Sequence, residues 1–480
     1  MSKYGLIAAL LLLYLTSLGS VGFVAPDEPR YASIGREMAR SGDWITPRLD
    51  HKPWFEKPPL LYWTTAIGNS VGLSDEWAAR LPLALISLAF LWFFCRTVER
   101  EFSPRVAVLA TAILGTSAGW VALSYAAVTD LPMSACLNAA MLIAVFGPKA
   151  LSVREKGLQA QGYAAGALLG LAVLAKAFVP LVLIFWAFVV ARGKRWPMII
   201  GSLLVAVPWH VLCYLRNGSA FWDEYFWKQQ VGRFFSPTLE HVHSIWYYFP
   251  IILVALFPWT PLLGLLFRGK TFDDERVRFL LLNTLFGLLF FSLSTNKLAT
   301  YMLPLLPGLA IVMAVGVDRA RNSAPWLASC VALLAIAPTL TNILPEAILN
   351  GLSRVDLRWS VGWPFLIAAA VVGWLAWPVR NDVDSRGRRE WAILTASTAA
   401  ILAILYLKSA TLPALDENVS VRRFARAHVD GVRAACLDRD VRRSWEYGLN
   451  YYAERSIPRC ADDEAVRIVS TNGKLAMVGR

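Results

Sequence analysis

Long apolar runs alternate with short polar loops over the first 408 residues. Runs of about 17–22 apolar residues are long enough to cross a bilayer as helices. The pattern predicts about thirteen spans, at 5–24, 78–95, 105–122, 131–147, 160–175, 178–191, 197–215, 244–266, 277–294, 302–317, 325–344, 360–378 and 391–408. The run 5–24 is longer than a signal-peptide core and has no clear small-residue cleavage site, so it is expected to be retained. The apolar stretch 59–72 is too short for a span and predicts an interfacial helix. Residues 1–408 are therefore expected to form a membrane domain with a large first loop, 25–77, and residues 409–480 a small α/β tail. In that tail 432–437 reads as a strand, 444–453 as a helix, and 466–470 and 475–478 as strands joined at Asn472-Gly473, a hairpin signal.

The first loop has its own pattern. Asp27 is well placed to cap a helix, with Pro29 in the first turn. Tyr31, Ile34 and Met38 recur at helical spacing, while Arg30, Arg36, Glu37 and Arg40 face elsewhere. This predicts an amphipathic helix on the membrane surface that stops at Ser41-Gly42.

Composition supports the membrane reading: 56% of the 480 residues are hydrophobic and 17% charged, below the usual quarter for soluble domains. The net charge of +13 is mostly a topology signal. With Lys3 inside, alternation gathers Arg96, Arg100 and Arg105, then Arg192, Lys194 and Arg195, then Arg319 and Arg321, on one face. Such short basic loops mark the cytoplasmic side, not a nucleic-acid footprint. The longer loops and the tail then lie on the periplasmic face, where extended loops on a helical frame hold sites. Cys436 and Cys460 fall in the exported tail, and an oxidising compartment makes them a disulfide candidate.

Chemistry-bearing residues concentrate on that face. Asp27 and Asp130 sit at the ends of early spans, each with helix capping as its alternative. Converging on one cleft, such acids activate a hydroxyl or hold a divalent metal. Lys176 and Lys297 lie where a charge is costly, and Lys57 follows Glu56. Cations gathered there, with forked contacts from Arg30 and Arg233, point to a phosphate ligand. His241 and His243 give only a weak metal signal; a phosphate or sugar contact suits His243 better.

The ordered set Pro-Asp-Glu-x-Arg-Tyr-Ala, Ser41-Gly42-Asp43-Trp44, Phe55-Glu56-Lys57-Pro58, Thr129-Asp130, Leu174-Ala175-Lys176 and Lys297 to Tyr301-x-Leu303-Pro304 resembles the bacterial lipid A aminoarabinose transferases. These belong with the protein O-mannosyltransferases among multi-span glycosyltransferases of the C-type fold. The resemblance covers about residues 5–320; the tail matches in placement only and is short for such an enzyme. It implies an all-α polytopic fold and transfer of a sugar from a polyprenyl (undecaprenyl) phosphate carrier to a periplasmic acceptor such as lipid A, a protein or another surface glycan. By position it implies Asp27 and Asp130 as catalytic acids and Glu56 as a metal residue for a divalent ion of open identity. It implies Arg30, Tyr31, Lys57, Lys176 and Tyr301 as lining the lipid-phosphate cavity. Arg233 and His243 match more loosely, and Lys297 joins the phosphate-binding set through its own cost of burial. A transporter or flippase of lipid-linked sugars is the alternative, although no internal repeat supports it.

Overall fold

The computed structural model describes residues 3–146, 155–232, 243–267, 270–351, 354–378, 385–461, 466–471 and 473–479. Helices occupy every predicted span, but their lengths divide them. Among the described residues seven are long and apolar enough to cross a membrane. Two further pairs, Pro104–Thr116 with Ala118–Tyr125 and Ile245–Ala255 with Thr260–Leu266, bend by 56° and 111° at short breaks. Tyr4–Leu15, Asp130–Phe146 and Trp363–Ala376 are apolar but shorter. The predicted span 178–191 is divided into Val179–Leu183 and Phe185–Val190. The structure thus supports a multi-span helical membrane protein without fixing thirteen crossings.

The elements that carry the site come early: α1 (Lys3–Leu15), α2 (Asp27–Ser41), the ribbon β1 (Arg48–Leu49) and β2 (Lys52–Pro53), α3 (Leu60–Ser70), α4 (Asp75–Glu101), α5 (Pro104–Thr116), α6 (Ala118–Tyr125), α7 (Asp130–Phe146) and α8 (Glu155–Lys176). Next come α9 (Val179–Leu183), α10 (Phe185–Val190) and α11 (Arg195–Asn217). Two glycine contacts fix the packing of this half. At Gly35 an added Cβ would lie 2.6 Å from the Thr65 side chain and 3.0 Å from Tyr62 O, so α2 and α3 touch backbone to side chain. In α8, Gly162, Gly166 and Gly170 form a stripe at four-residue spacing against α11, the membrane form of small-residue packing.

The helix α2 forms as its pattern predicts and ends where predicted. Gly42 adopts φ 69° and its N–H returns to Met38 O at 3.0 Å. Two details differ. Asp27 does not cap it: the capping position is Pro26, without a side-chain bond. Nor is Arg30 on an outer face. Glu28, Arg30 and Tyr31 are buried together with Ile34 and Met38, because Arg80 of α4 covers Glu28, Tyr62 of α3 packs on Tyr31, and Glu56 and the tail's Tyr447 enclose Arg30.

That tail has its own small core of Val421, Val432, Leu437, Trp445, Leu449 and Ile468. Strand β3 (Cys436–Leu437) pairs parallel with β4 (Val466–Thr471), which pairs antiparallel with β5 (Lys474–Gly479) around the predicted hairpin. The predicted strand 432–437 is shorter than expected, since 429–434 are helical. Cys436 and Cys460 form the predicted disulfide, with Cα atoms 4.9 Å apart. The tail helix Arg443–Ala453 docks on α2. Arg36 donates to Tyr451 O at 2.8 Å, Arg40 forks onto Glu454 at 2.8 and 3.2 Å, and Tyr452 OH donates to Glu76 at 2.6 Å.

Candidate active site

The first cluster grows from the start of α2 and the strand-to-helix turn before α3. The β-ribbon reverses at Asp50 and His51, both at positive φ, and returns Trp54-Phe55-Glu56-Lys57 beneath α2. Pro58 and Pro59 then start α3. Arg30 sits at the centre, 6% exposed. It reaches Asp27 Oδ1 at 2.5 Å and Glu56 Oε2 at 3.0 Å. Its guanidinium lies 5.2 Å from the Tyr31 ring centre and 5.5 Å from each of Trp54 and Tyr447. Burial opposes its charge, but Glu56, Tyr31 and Asp27 outweigh burial and hold its pKa above the ordinary value. Burial, and then the Glu56 and Asp27 charges, push Tyr31 far up; Tyr62, 5.7 Å from it, is raised by burial and Glu56. Both phenols therefore stay neutral and can only donate or accept hydrogen bonds. Lys57 Nζ lies 3.7 Å from the other Glu56 oxygen.

A second cluster forms where α7 begins and α8 ends. Asp130, the first residue of α7, is ion-paired with Lys176, the last of α8. Lys176 Nζ also lies 4.5 Å from the ring centre of Tyr301, which sits in the short helix Ala299–Leu305. The two clusters share a wall. Phe55, next to Glu56, packs in one apolar group with Leu174 and Ala177, which flank Lys176. The loop before Asp130 is held at its start by Tyr125, whose single O–H lies between the acceptors Leu13 O at 2.8 Å and Thr16 O at 2.5 Å. Lys408 in turn donates to Tyr125 OH.

Most sequence-predicted residues thus fall into two adjoining groups: Asp27, Arg30, Tyr31, Glu56 and Lys57 in one, Asp130, Lys176 and Tyr301 in the other. Asp27 is paired with Arg30 in the first group and Asp130 with Lys176 in the second. Lys297 is buried but turns back onto Ser294 O of its own loop. His243 is exposed and stacks on Tyr247, ring centres 4.2 Å apart. Neither meets the clusters directly. Arg233 and His241 lie outside the described residues.

The donor set does not fit the metal expected at Glu56. Among the described residues no three His, Cys, Asp or Glu side chains gather to hold an ion. Glu56 instead faces two cations, Arg30 and Lys57. No step is assigned to a metal.

Sequence reasoning missed Glu28, Arg80, Tyr62 and Tyr447. Arg80 left a readable trace, a charge two residues into an apolar run. Tyr447 left none, because only the fold brings the tail to Arg30.

Comparison with known proteins gives this arrangement its class. The family model for dolichyl-phosphate-mannose-protein mannosyltransferase matches residues 56–214. The undecaprenyl phosphate-alpha-4-amino-4-deoxy-L-arabinose arabinosyl transferase of Pectobacterium carotovorum is 30% identical over 446 residues, covering 87% of this chain and 77% of that one. The chain belongs to this family of membrane glycosyltransferases. A second member, from Pseudomonas paraeruginosa, is 28% identical over 505 residues, covering 94% of this chain and 88% of its own. The fold agrees. The crystal structure of ArnT from Cupriavidus metallidurans bound to undecaprenyl phosphate superposes with a TM-score of 0.74 at 22% identity, over 96% of this chain and 86% of that one. The archaeal oligosaccharyltransferase AglB from Archaeoglobus fulgidus gives 0.52 at 11% identity, over 95% of this chain and 64% of that one. Membership in a glycosyltransferase family sets aside the transporter alternative.

Proposed function

We propose that this glycosyltransferase moves a sugar from an undecaprenyl phosphate carrier to a hydroxyl or phosphate of an envelope acceptor, with its first loop and tail in the periplasm. The sugar proposed is 4-amino-4-deoxy-L-arabinose, the one in the relatives' names. One observation carries the reading. A half-exposed carboxylate, Asp27 at 45%, lies at the same end of the fold as two largely covered ammonium groups, Lys57 at 17% and Lys176 at 11%.

The chemistry follows from that division. Asp27 spends one oxygen on Arg30, and its other oxygen takes the acceptor proton as the acceptor oxygen attacks the anomeric carbon. The carbon–oxygen bond to the carrier phosphate breaks, and the phosphate leaves with the electron pair. Lys57 and Lys176 exchange Glu56 and Asp130 for this phosphate and stabilise its growing charge. A single displacement of this kind inverts the anomeric centre. Neutral Tyr31 and Tyr62 add hydrogen-bonding capacity without charge.

The purified protein in nanodiscs, given undecaprenyl phosphate-linked aminoarabinose or a polyprenyl phosphate-linked hexose, tests this. Transfer from the first and not the second is expected. Lys57→Ala and Lys176→Ala should each weaken donor binding at least fivefold. Wild-type donor affinity in both variants would refute the phosphate assignment. An alkaline phosphatase fusion after residue 480 should be active; an inactive fusion would reverse the orientation.

A further inference from the structure

The carboxylate next to Asp27 has a different role from Asp27 itself. Glu28 is 2% exposed and Arg80 1%. Glu28 Oε2 accepts from Val24 N at 3.0 Å and from Arg80 Nη2 at 3.0 Å. Its Oε1 accepts from Ala127 N at 2.8 Å and from Arg80 Nε at 3.1 Å. A carboxylate has about four lone-pair sites, and here all four are taken. Arg80 is equally committed: its remaining donors reach Leu18 O at 3.0 Å, Val21 O at 2.6 Å and Gly22 O at 3.1 Å. With these bonds its five N–H groups are satisfied. Neither side chain has capacity left for substrate, phosphate or metal.

The four segments bound by the pair matter more than the bonds themselves. Val24 leads into α2 three residues before Asp27, and Ala127 leads into α7 three residues before Asp130. Arg80 belongs to α4, and Leu18 to Gly22 form the turn after α1. Asp27 and Asp130 each face a cation of their own cluster, whereas Glu28 links their two segments directly by accepting from Val24 N and Ala127 N. We propose that Glu28, held by Arg80, is a positioning residue that sets the register between the Asp27 segment and the Asp130 segment. It acts on turnover through these two amides and touches no substrate. The inference rests on the reading of Asp27 and Asp130 as the site's acids.

Glu28→Asp tests it, because the charge opposite Arg80 is kept while the shorter side chain can no longer span both amides. Hydrogen exchange of peptides covering 20–30 and 120–130 in the full-length protein should accelerate at least tenfold. Turnover should fall at least tenfold, with the donor KM within twofold of wild type and the thermal midpoint nearly unchanged. Arg80→Lys, which keeps the cation but loses the fork, should shift both readouts the same way and serves if Glu28→Asp fails to fold. Unchanged exchange at both peptides would overturn the tether. Faster exchange with wild-type turnover, or a raised donor KM with wild-type kcat, would overturn the positioning role. Asp27→Asn separates this idea from the reading beneath it: it should lose activity while both peptides stay protected. Full activity in Asp27→Asn would sink the assignment of the acid and leave the exchange result to judge the tether alone.

Discussion

Asp27 and Asp130 are both acids at one end of the fold, yet replacing each by Asn should cost very different amounts of stability. Asp27 is 45% exposed, and Arg30 keeps Glu56 at 3.0 Å when Asp27 loses its charge. The Asn oxygen can still accept from Arg30. The cost is therefore that of a weakened, half-exposed pair, about 0–1 kcal/mol. Asp130 and Lys176 are both largely covered. Removing one partner of a buried pair costs about 3–5 kcal/mol, because the other charge is left without compensation. The face of Tyr301, 4.5 Å from Lys176 Nζ, offsets about 1 kcal/mol of this. Asp130→Asn should then be destabilised by about 2–4 kcal/mol, and Asp27→Asn by a fraction of that. Activity should order differently: without its general base Asp27→Asn loses about 100- to 10,000-fold in turnover. Unfolding in mixed micelles, followed by tryptophan fluorescence, gives the stabilities, and transfer from the lipid-linked donor gives the rates. A stable Asp130→Asn beside an unstable Asp27→Asn would refute the electrostatic reasoning for both clusters.

Gly166→Ala should destabilise by about 1–3 kcal/mol through overpacking, since the new Cβ would stand 2.2 Å from Met198 O; a wild-type thermal midpoint would refute the α8–α11 packing. Replacing Cys436 and Cys460 by Ser opens a loop of sequence separation 24 and should cost the tail about 3 kcal/mol on the chain-entropy model, read as earlier proteolytic cleavage within 420–480; equal resistance would refute it. The side-chain bond from Arg40 holds Glu454 below the usual carboxylate range. A depressed folded pKa means that its stabilisation is complete above the unfolded value and is lost as pH falls through the folded one. Docking of 443–453 on α2 should loosen below about pH 4, seen by hydrogen exchange, and Glu454→Gln should remove that dependence; a Gln variant with unchanged pH response would assign it elsewhere.

Apolar length made helices legible at every predicted position, and among the described residues seven of them are long enough to cross a membrane. It did not make every break legible: Ser117 is extended between α5 and α6, inside the predicted span 105–122, whereas the break at Ala177 falls between two predicted spans. The cost of burying a charge drew attention to Lys176, which the structure pairs with Asp130, and Lys57 lies beside Glu56 as the sequence order suggests. Lys297, raised by the same argument, is buried and donates to the carbonyl of Ser294 in its own loop. Periodicity predicted α2 but gave its outer face to water, since hydropathy along one helix carries no record of a tail more than 400 residues away. Glu56 carried a metal role only through the family resemblance, and position in a motif does not tell that Arg30 and Lys57 would face both of its oxygens.

The docking of the tail on α2 also sets a schedule. Arg36 and its acceptor Tyr451 are 415 residues apart in the chain. At about 5–20 residues per second, a ribosome needs roughly 20–80 s to make the second after the first. Throughout that interval Arg30 has no Tyr447 above it and α2 lies uncovered. The cluster around Arg30 is thus completed only once Tyr447 has been made and the tail helix has docked on α2.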